Sequence, residues 1–339
     1  MTMTENSLAF GVTLNGLAYS DREIPSIDTR FRIARQAGIV DYIEYSPRPG
    51  EIDEVLLASE RHGIPVRAGS LFYTLGRDEP LLEWNMRVSR QLGAEVQNIQ
   101  IAPMDASGAP VSDEAIARYF LVCAELGSLL DVVPAFEIHI NMWSEAFDRI
   151  MRVAELVDRL GAQFNITLDH SHCVFKVDNA REAALDKANG RTGFDHARLD
   201  PSHPNSYYDE WLSAGLVVHA HARAAAPDNP ANILARHPNG SFGRGVQYPF
   251  IEPRKGEWHS PWDERRLDMW KAVTNKLFAH HASTPGSRLR RISAEFIPFV
   301  DYGAGSGYSV SENNMACIKW LRTSWSAALA ARDPAEAKT

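Results

Sequence analysis

Apolar residues along the chain fall into short runs that alternate with longer amphipathic stretches. Runs rich in β-branched and aromatic residues occupy 8–14, 41–43, 66–70, 95–101, 135–140, 165–169, 216–221 and 291–297. Their length and composition predict buried strands. Between them, helical periodicity predicts helices over 28–36, 51–62, 79–92, 112–131, 144–160, 262–281 and 311–329. Glycines at 38, 63, 93 and 161 close four of these, and Asp28 or Thr29 and a Ser-Asp-Glu start at 112 open two. The rhythm loosens over 175–213, where only 180–187 reads as helical, and again over 224–261.

Eight strand-then-helix units predict an α/β chain with parallel strands, closed into a (β/α)8 TIM barrel with insertions after strands 6 and 7. No G-x-G-x-x-G follows the first strand, so a dinucleotide fold has no support. A single barrel domain is expected over 1–331, with a flexible C-terminal tail at 332–339. Loops after barrel strands lie on the catalytic face. Both insertions are therefore expected to wall the active site.

Four of the apolar runs carry polar groups near their C-terminal ends: AFEIHI (135–140), NITLDHSH (165–172), VVHAH (217–221) and ISAEFI (292–297). Carboxylates and imidazoles are costly to bury unpaired. Four on neighbouring strands suggest convergence on a divalent ion. Glu137, Asp169, His221 and Glu295 make a mostly oxygen set with one nitrogen, which suits Mn(II), Mg(II) or Co(II) better than structural zinc. His139 stands two residues after Glu137. It is either a partner behind a ligand or the general base of carbon-acid chemistry. His172 is placed to contact a substrate hydroxyl. His219, one pleat deeper than His221, is either a core histidine or a further substrate contact. Arg223 and Arg244 follow strand 7. Arg244 lies between two glycines in SFGRGVQYP (241–249), which suits a tight loop aiming one side chain at a ligand. Aromatics near the expected mouth, among them Tyr73, Phe299 and Tyr302, offer faces for a sugar or a phenolic ring.

The chain has 339 residues and a net charge of −8, with 35 basic against 43 acidic residues. That balance argues against a nucleic-acid partner, whose phosphates call for basic contacts. Three cysteines form no C-x-x-C pair, so a redox dithiol or zinc knuckle is not signalled. No run approaches the roughly 20 apolar residues of a membrane span. The start, MTMTENSLAF, lacks a basic region followed by a long apolar core. A cytoplasmic location is expected.

Glu137, LDHSH (168–172), HAHAR (219–223) and Ala294-Glu295 together resemble the xylose-isomerase-like barrel superfamily across most of the chain. The resemblance implies that Glu137, Asp169, His221 and Glu295 bind one divalent metal, often Mn(II). The Asp-x-x-His spacing of Asp169 and His172 is similar to ketose epimerases, where the histidine touches substrate and metal-bound glutamates form the acid/base pair. Two features depart from a simple epimerase: the length of 223–262, and His139 as a rival base. With YTLGRDEP (73–80), GRG (243–245) and FVDYG (299–303), they look like the larger, metal-binding subunit of bacterial C-glycoside deglycosidases. That resemblance implies β-elimination of an aryl group from a 3-oxo-C-glycoside, with a small β-rich partner subunit in a hetero-oligomer. The alternative is a sugar isomerase or ketose 3-epimerase, in which Glu137 and Glu295 share the proton transfers.

Overall fold

The computed structural model describes residues 7–18 and 23–332. The first strands and helices alternate as the pattern predicts: β1 (Ala9–Thr13), α1 (Ile27–Ala37), β2 (Tyr42–Glu44), α2 (Ile52–His62), β3 (Val66–Tyr73), α3 (Glu79–Leu92), β4 (Val96–Ile101), α4 (Asp113–Leu130), β5 (Val133–Glu137), α5 (Arg149–Arg159) and β6 (Ile166–Asp169). The first insertion holds α6 (Ser171–Val174), α7 (Ala180–Ala188) and α8 (Tyr207–Ser213). After β7 (Val217–Ala222), the second insertion holds an antiparallel pair, β8 (Asn232–Arg236) and β9 (Phe242–Gly243). The chain ends with α9 (Asp268–Ser283), β10 (Arg291–Ala294) and α10 (Val310–Arg332). The expected tail begins inside the last turn of α10 at Arg332, and 333–339 lie outside the described residues, as do 1–6 of the stretch read for a leader.

Eight strands close in the order β1-β10-β7-β6-β5-β4-β3-β2, and every neighbouring pair is parallel. This is the (β/α)8 barrel, with β10 as its eighth strand. The helices pack outside against the main apolar core. A small separate cluster of Tyr42, Ala68, Val96 and Ala135 is set apart from it. Gly11 faces the Tyr42 ring, and a Cβ there would collide with it. The Tyr42 hydroxyl then reaches Ser293 Oγ at 2.8 Å.

Several boundaries move for local reasons. Ser26, not Asp28 or Thr29, caps α1 by accepting from the Thr29 amide. The fifth strand stops at Glu137 instead of 140 because Ser144 intercepts the chain. Its hydroxyl donates to the Glu137 carbonyl (2.6 Å) and accepts from the His139 amide (3.1 Å). Asn141 then turns with φ 62°. The eighth strand stops at Ala294. The Phe296 amide donates to Asn314 and the Ile297 amide to Gln247, so side chains replace the ladder. The helix expected from 262 starts at 268, since Asp263 caps a short 3-10 turn ahead of it.

Candidate metal centre and active-site cavity

The strand register sets the floor of the site. Asp169 lies level with His221, and Ser293 lies level with His221 on the other side. One pleat below, Thr167 lies level with His219. Alternation therefore turns Asp169, His221 and Glu295 to the same interior. Glu137, Asp169, His221 and Glu295 each offer a ligand atom, all within 4.8 Å of one another. All four are buried, with Glu295 the most open at 8% exposure.

Each candidate ligand is oriented by neighbours. Asn98 and Gln100 donate to Glu137 Oε2 at 2.5 Å each. Ser171 donates to Asp169 Oδ1 through its amide (3.0 Å) and hydroxyl (2.5 Å). Arg223 donates to Glu295 (3.0 Å) and to Asp169 Oδ2. His221 Nε2 donates to Glu44 Oε1 at 2.8 Å. This leaves Nδ1 facing Glu137 Oε1 at 3.0 Å and Glu295 Oε2 at 2.9 Å. A carboxylate behind a histidine fixes its tautomer and directs its other nitrogen.

The electrostatics of this set favour a cation. Four buried carboxylates, Glu44, Glu137, Asp169 and Glu295, face one guanidinium, Arg223. Burial disfavours a charged His221, yet Glu295, Glu44 and Glu137 outweigh it and raise the imidazole well above its ordinary value. Burial raises Glu295, and nearby Glu137 adds to this against the pull of His221 and Arg223. Burial also lowers His172 to about 3 and His219 to about 4, so both are neutral. The field that draws a proton to His221 equally suits a divalent ion held by Nδ1 and the three carboxylates. The hard donor set fits such an ion.

Above this floor opens a cavity of ≈ 290 Å³. Glu295 and His139 line it, with Glu44, Gln100, Asp301 and Tyr302. Phe72 and Phe299 stand at its wall, 63% and 48% exposed. Of the residues expected to perform catalysis, Glu137 alone is below the cavity, under the amides of Asn98 and Gln100.

None of the five residues expected to contact substrate lines this cavity. Tyr73 points away, its hydroxyl accepting from Asn85 (3.0 Å) and Gln97 (3.3 Å); its neighbour Phe72 takes the wall. Arg244 is consumed by Glu145 (2.6 Å), Glu182 and Asn141 (3.0 Å). His219 bonds Thr167 and Ser293, both at 3.3 Å, one layer too deep. Arg223 and His172 are fully buried beside the ligands, with Arg223 donating to His172 Nε2 at 2.7 Å. The His172 ring packs on His139 at 3.9 Å. The pattern also missed Glu44. Its signal was present, since Tyr42-Ile43-Glu44 is another short apolar run ending in a carboxylate.

No protein-family profile and no curated protein sequence matches the chain. Solved structures do resemble it. A xylose isomerase-like TIM barrel protein from Mycobacterium smegmatis in complex with magnesium is 10% identical, with TM-score 0.54, over 97% of this chain and 100% of the other. An L-ribulose 3-epimerase is 13% identical, with TM-score 0.53, over 96% and 95%. A 3-keto-D-glucoside 4-epimerase from E. coli is 14% identical, with TM-score 0.50, over 94% and 100%. At such identities the likeness speaks for the fold, and the chain folds as a xylose-isomerase-like (β/α)8 barrel.

Proposed function

We propose that this protein is a divalent-metal-dependent sugar epimerase or isomerase that moves a proton on the carbon next to a carbonyl. The observation that carries this reading is the convergence of Glu137, Asp169, His221 and Glu295 at one floor beneath a sugar-sized cavity. Those four residues would hold the ion. When bound, it supplies Lewis acidity that stabilises negative charge developing on sugar oxygens. Mn(II), Mg(II) and Co(II) all suit the donor set.

The chain's own groups do the rest. Glu295 reaches the cavity from the barrel floor, and its burial-raised carboxyl suits a group that both takes and returns a proton near neutrality. His139 lines the same cavity from the loop after β5. Arg223 holds Glu295 in place and balances part of the floor's charge. Asn98 and Gln100 fix Glu137, which makes it a ligand held still rather than a mobile base. The named relatives that act on L-ribulose and on a 3-keto-D-glucoside are consistent with a keto-sugar substrate.

The test is solvent exchange. With Mn(II) in D2O, L-ribulose or a methyl 3-keto-glucoside should take up deuterium beside its carbonyl, and Glu295→Gln should abolish epimerisation. A protein that leaves both sugars unlabelled with each of the three metals contradicts the reading. Release of an aryl group from a 3-keto-C-glycoside, without sugar interconversion, would move the assignment to a carbon–carbon lyase.

A further inference from the structure

The loop after β10 carries a side chain with no assigned role. Tyr302 lines the cavity, and its hydroxyl lies 2.9 Å from His139 Nε2. The other ring nitrogen of His139 faces the Ile140 carbonyl. A carbonyl only accepts, so Nδ1 carries the hydrogen and Nε2 presents its lone pair. That lone pair is filled by the tyrosine hydroxyl. His139 therefore takes a proton from a substrate carbon only through the Tyr302 oxygen. These contacts do not make a second cation site with Glu137 and His172. Both His139 nitrogens are engaged, Arg223 donates to His172, and Glu137 already belongs to the floor.

Tyr302 is held firmly enough for such a task. Its ring lies 4.3 Å from the Arg223 guanidinium, a cation–π contact that holds it in place. The insertion after β7 clamps its backbone. Asn232 Nδ2 donates to the carbonyls of Tyr302 (2.8 Å), Ala304 (3.1 Å) and Val300 (3.2 Å). The amides of Arg244 (2.7 Å), Gly245 (3.2 Å) and Val246 (3.0 Å) all donate to Asp301. A Cβ on Gly243 would collide with the Val300 carbonyl, and Gly245 sits at φ 84° against Pro230. The glycines around Arg244 thus serve a close approach of two loops, and that approach places the tyrosine.

We infer that Tyr302 is a catalytic residue, acting with His139 as a proton relay on the sugar face opposite Glu295. The inference rests on the epimerase reading above. In one direction the carbon–hydrogen bond breaks, and its electron pair moves to the adjacent carbonyl. The proton passes to the Tyr302 oxygen while the tyrosine's own proton passes to His139 Nε2. Glu295, having carried a proton, returns it to the other face of the same carbon. The reverse direction retraces these transfers.

The test compares wild type, Tyr302→Phe, His139→Gln and the double variant, at matched metal content, on L-ribulose and a methyl 3-keto-glucoside in D2O. General acid–base groups contribute about 10²–10⁴-fold, so each single variant should lose epimerisation by about that factor. Deuterium uptake without inversion, through Glu295, should persist. The double variant should be no worse than either single, because the two residues act as one unit. The ¹⁵N resonance of His139 Nε2 should shift in Tyr302→Phe, since its hydrogen-bond donor is gone. Tyr302→Phe epimerising at the wild-type rate, or an unmoved Nε2 resonance, overturns the relay alone. Absence of all exchange in wild type overturns the epimerase reading, and the relay with it.

Discussion

Two buried clusters of carboxylates lie on the catalytic side of this barrel, and they are built differently. One joins both insertions to the loop after β5. There Lys176 meets Asp186 (2.7 Å) and Glu145 (2.8 Å), Arg244 meets Glu145 and Glu182, and Arg191 meets Asp186 (2.9 Å). Three cations answer three carboxylates. The other cluster is the barrel floor, where four carboxylates face Arg223 and an imidazole. A balanced buried cluster is already closed by its own side chains. An unbalanced one is stabilised by a cation from outside. The distinction explains why Arg244, although it follows the strand of candidate ligand His221, is unavailable to a sugar.

The largest effect should come from removing what the floor needs. Chelation with EDTA should lower epimerisation by at least about 10³-fold, reflecting several kcal/mol of lost charge stabilisation, and Mn(II), Mg(II) or Co(II) should restore it. Full activity in metal-free protein would erase the contrast between the clusters.

Next comes stability. Lys176→Met removes one partner from the balanced cluster and should cost about 3–5 kcal/mol in urea unfolding, with metal stoichiometry unchanged. Glu137→Gln in metal-free protein should leave the unfolding midpoint level or raise it, because it relieves surplus negative charge. Equal losses in the two variants would show that the clusters do not differ as described.

Acid sharpens the same point. Burial would raise Glu145, but Arg244 and Lys176 hold it well below its ordinary 4.5; burial would raise Asp186, but His196 and Lys176 hold it below 3.8. Carboxyls depressed in the folded state contribute stability that is complete above their unfolded values. It is lost as pH falls through those values toward the folded ones. Buried neutral His172 and His219 destabilise the fold from about pH 6.5 downward, and the part of the acid-induced fall in the thermal unfolding midpoint carried by these two carboxyls should begin only below about pH 4.5. Glu145→Gln should flatten it.

The smallest effect belongs to the clamp. Asn232→Ala leaves three carbonyls without their amide donor and should cost about 1–3 kcal/mol. Epimerisation should fall through kcat, with KM little moved, because the clamp positions Tyr302 rather than binding sugar. An unchanged kcat in this variant would separate the insertion from catalysis.

The barrel was legible because its strands are short, apolar and bounded by glycines. The convergence of the four candidate ligands was legible because each stands at the end of such a run. The contacts around them were not. Whether Arg244 points to a sugar or to Glu145 depends on partners about 60 and 100 residues away in sequence, and no local period records that. Phe72 rather than Tyr73 lines the cavity because β3 continues to Tyr73, turning the tyrosine away from the barrel interior toward Asn85 on α3. His139 was visible as a histidine near a ligand. Its tautomer and its hold on Tyr302 depend on Ser144 ending β5 early and on a loop more than 150 residues away.

The most direct measurement is a calorimetric titration of Mn(II) into chelator-stripped protein, in wild type and in Asp169→Asn. Wild type should bind one equivalent, and binding should weaken at least about tenfold in the variant. Wild-type protein that binds no divalent ion, or an Asp169→Asn variant that binds it equally well, would contradict a metal centre at the barrel floor.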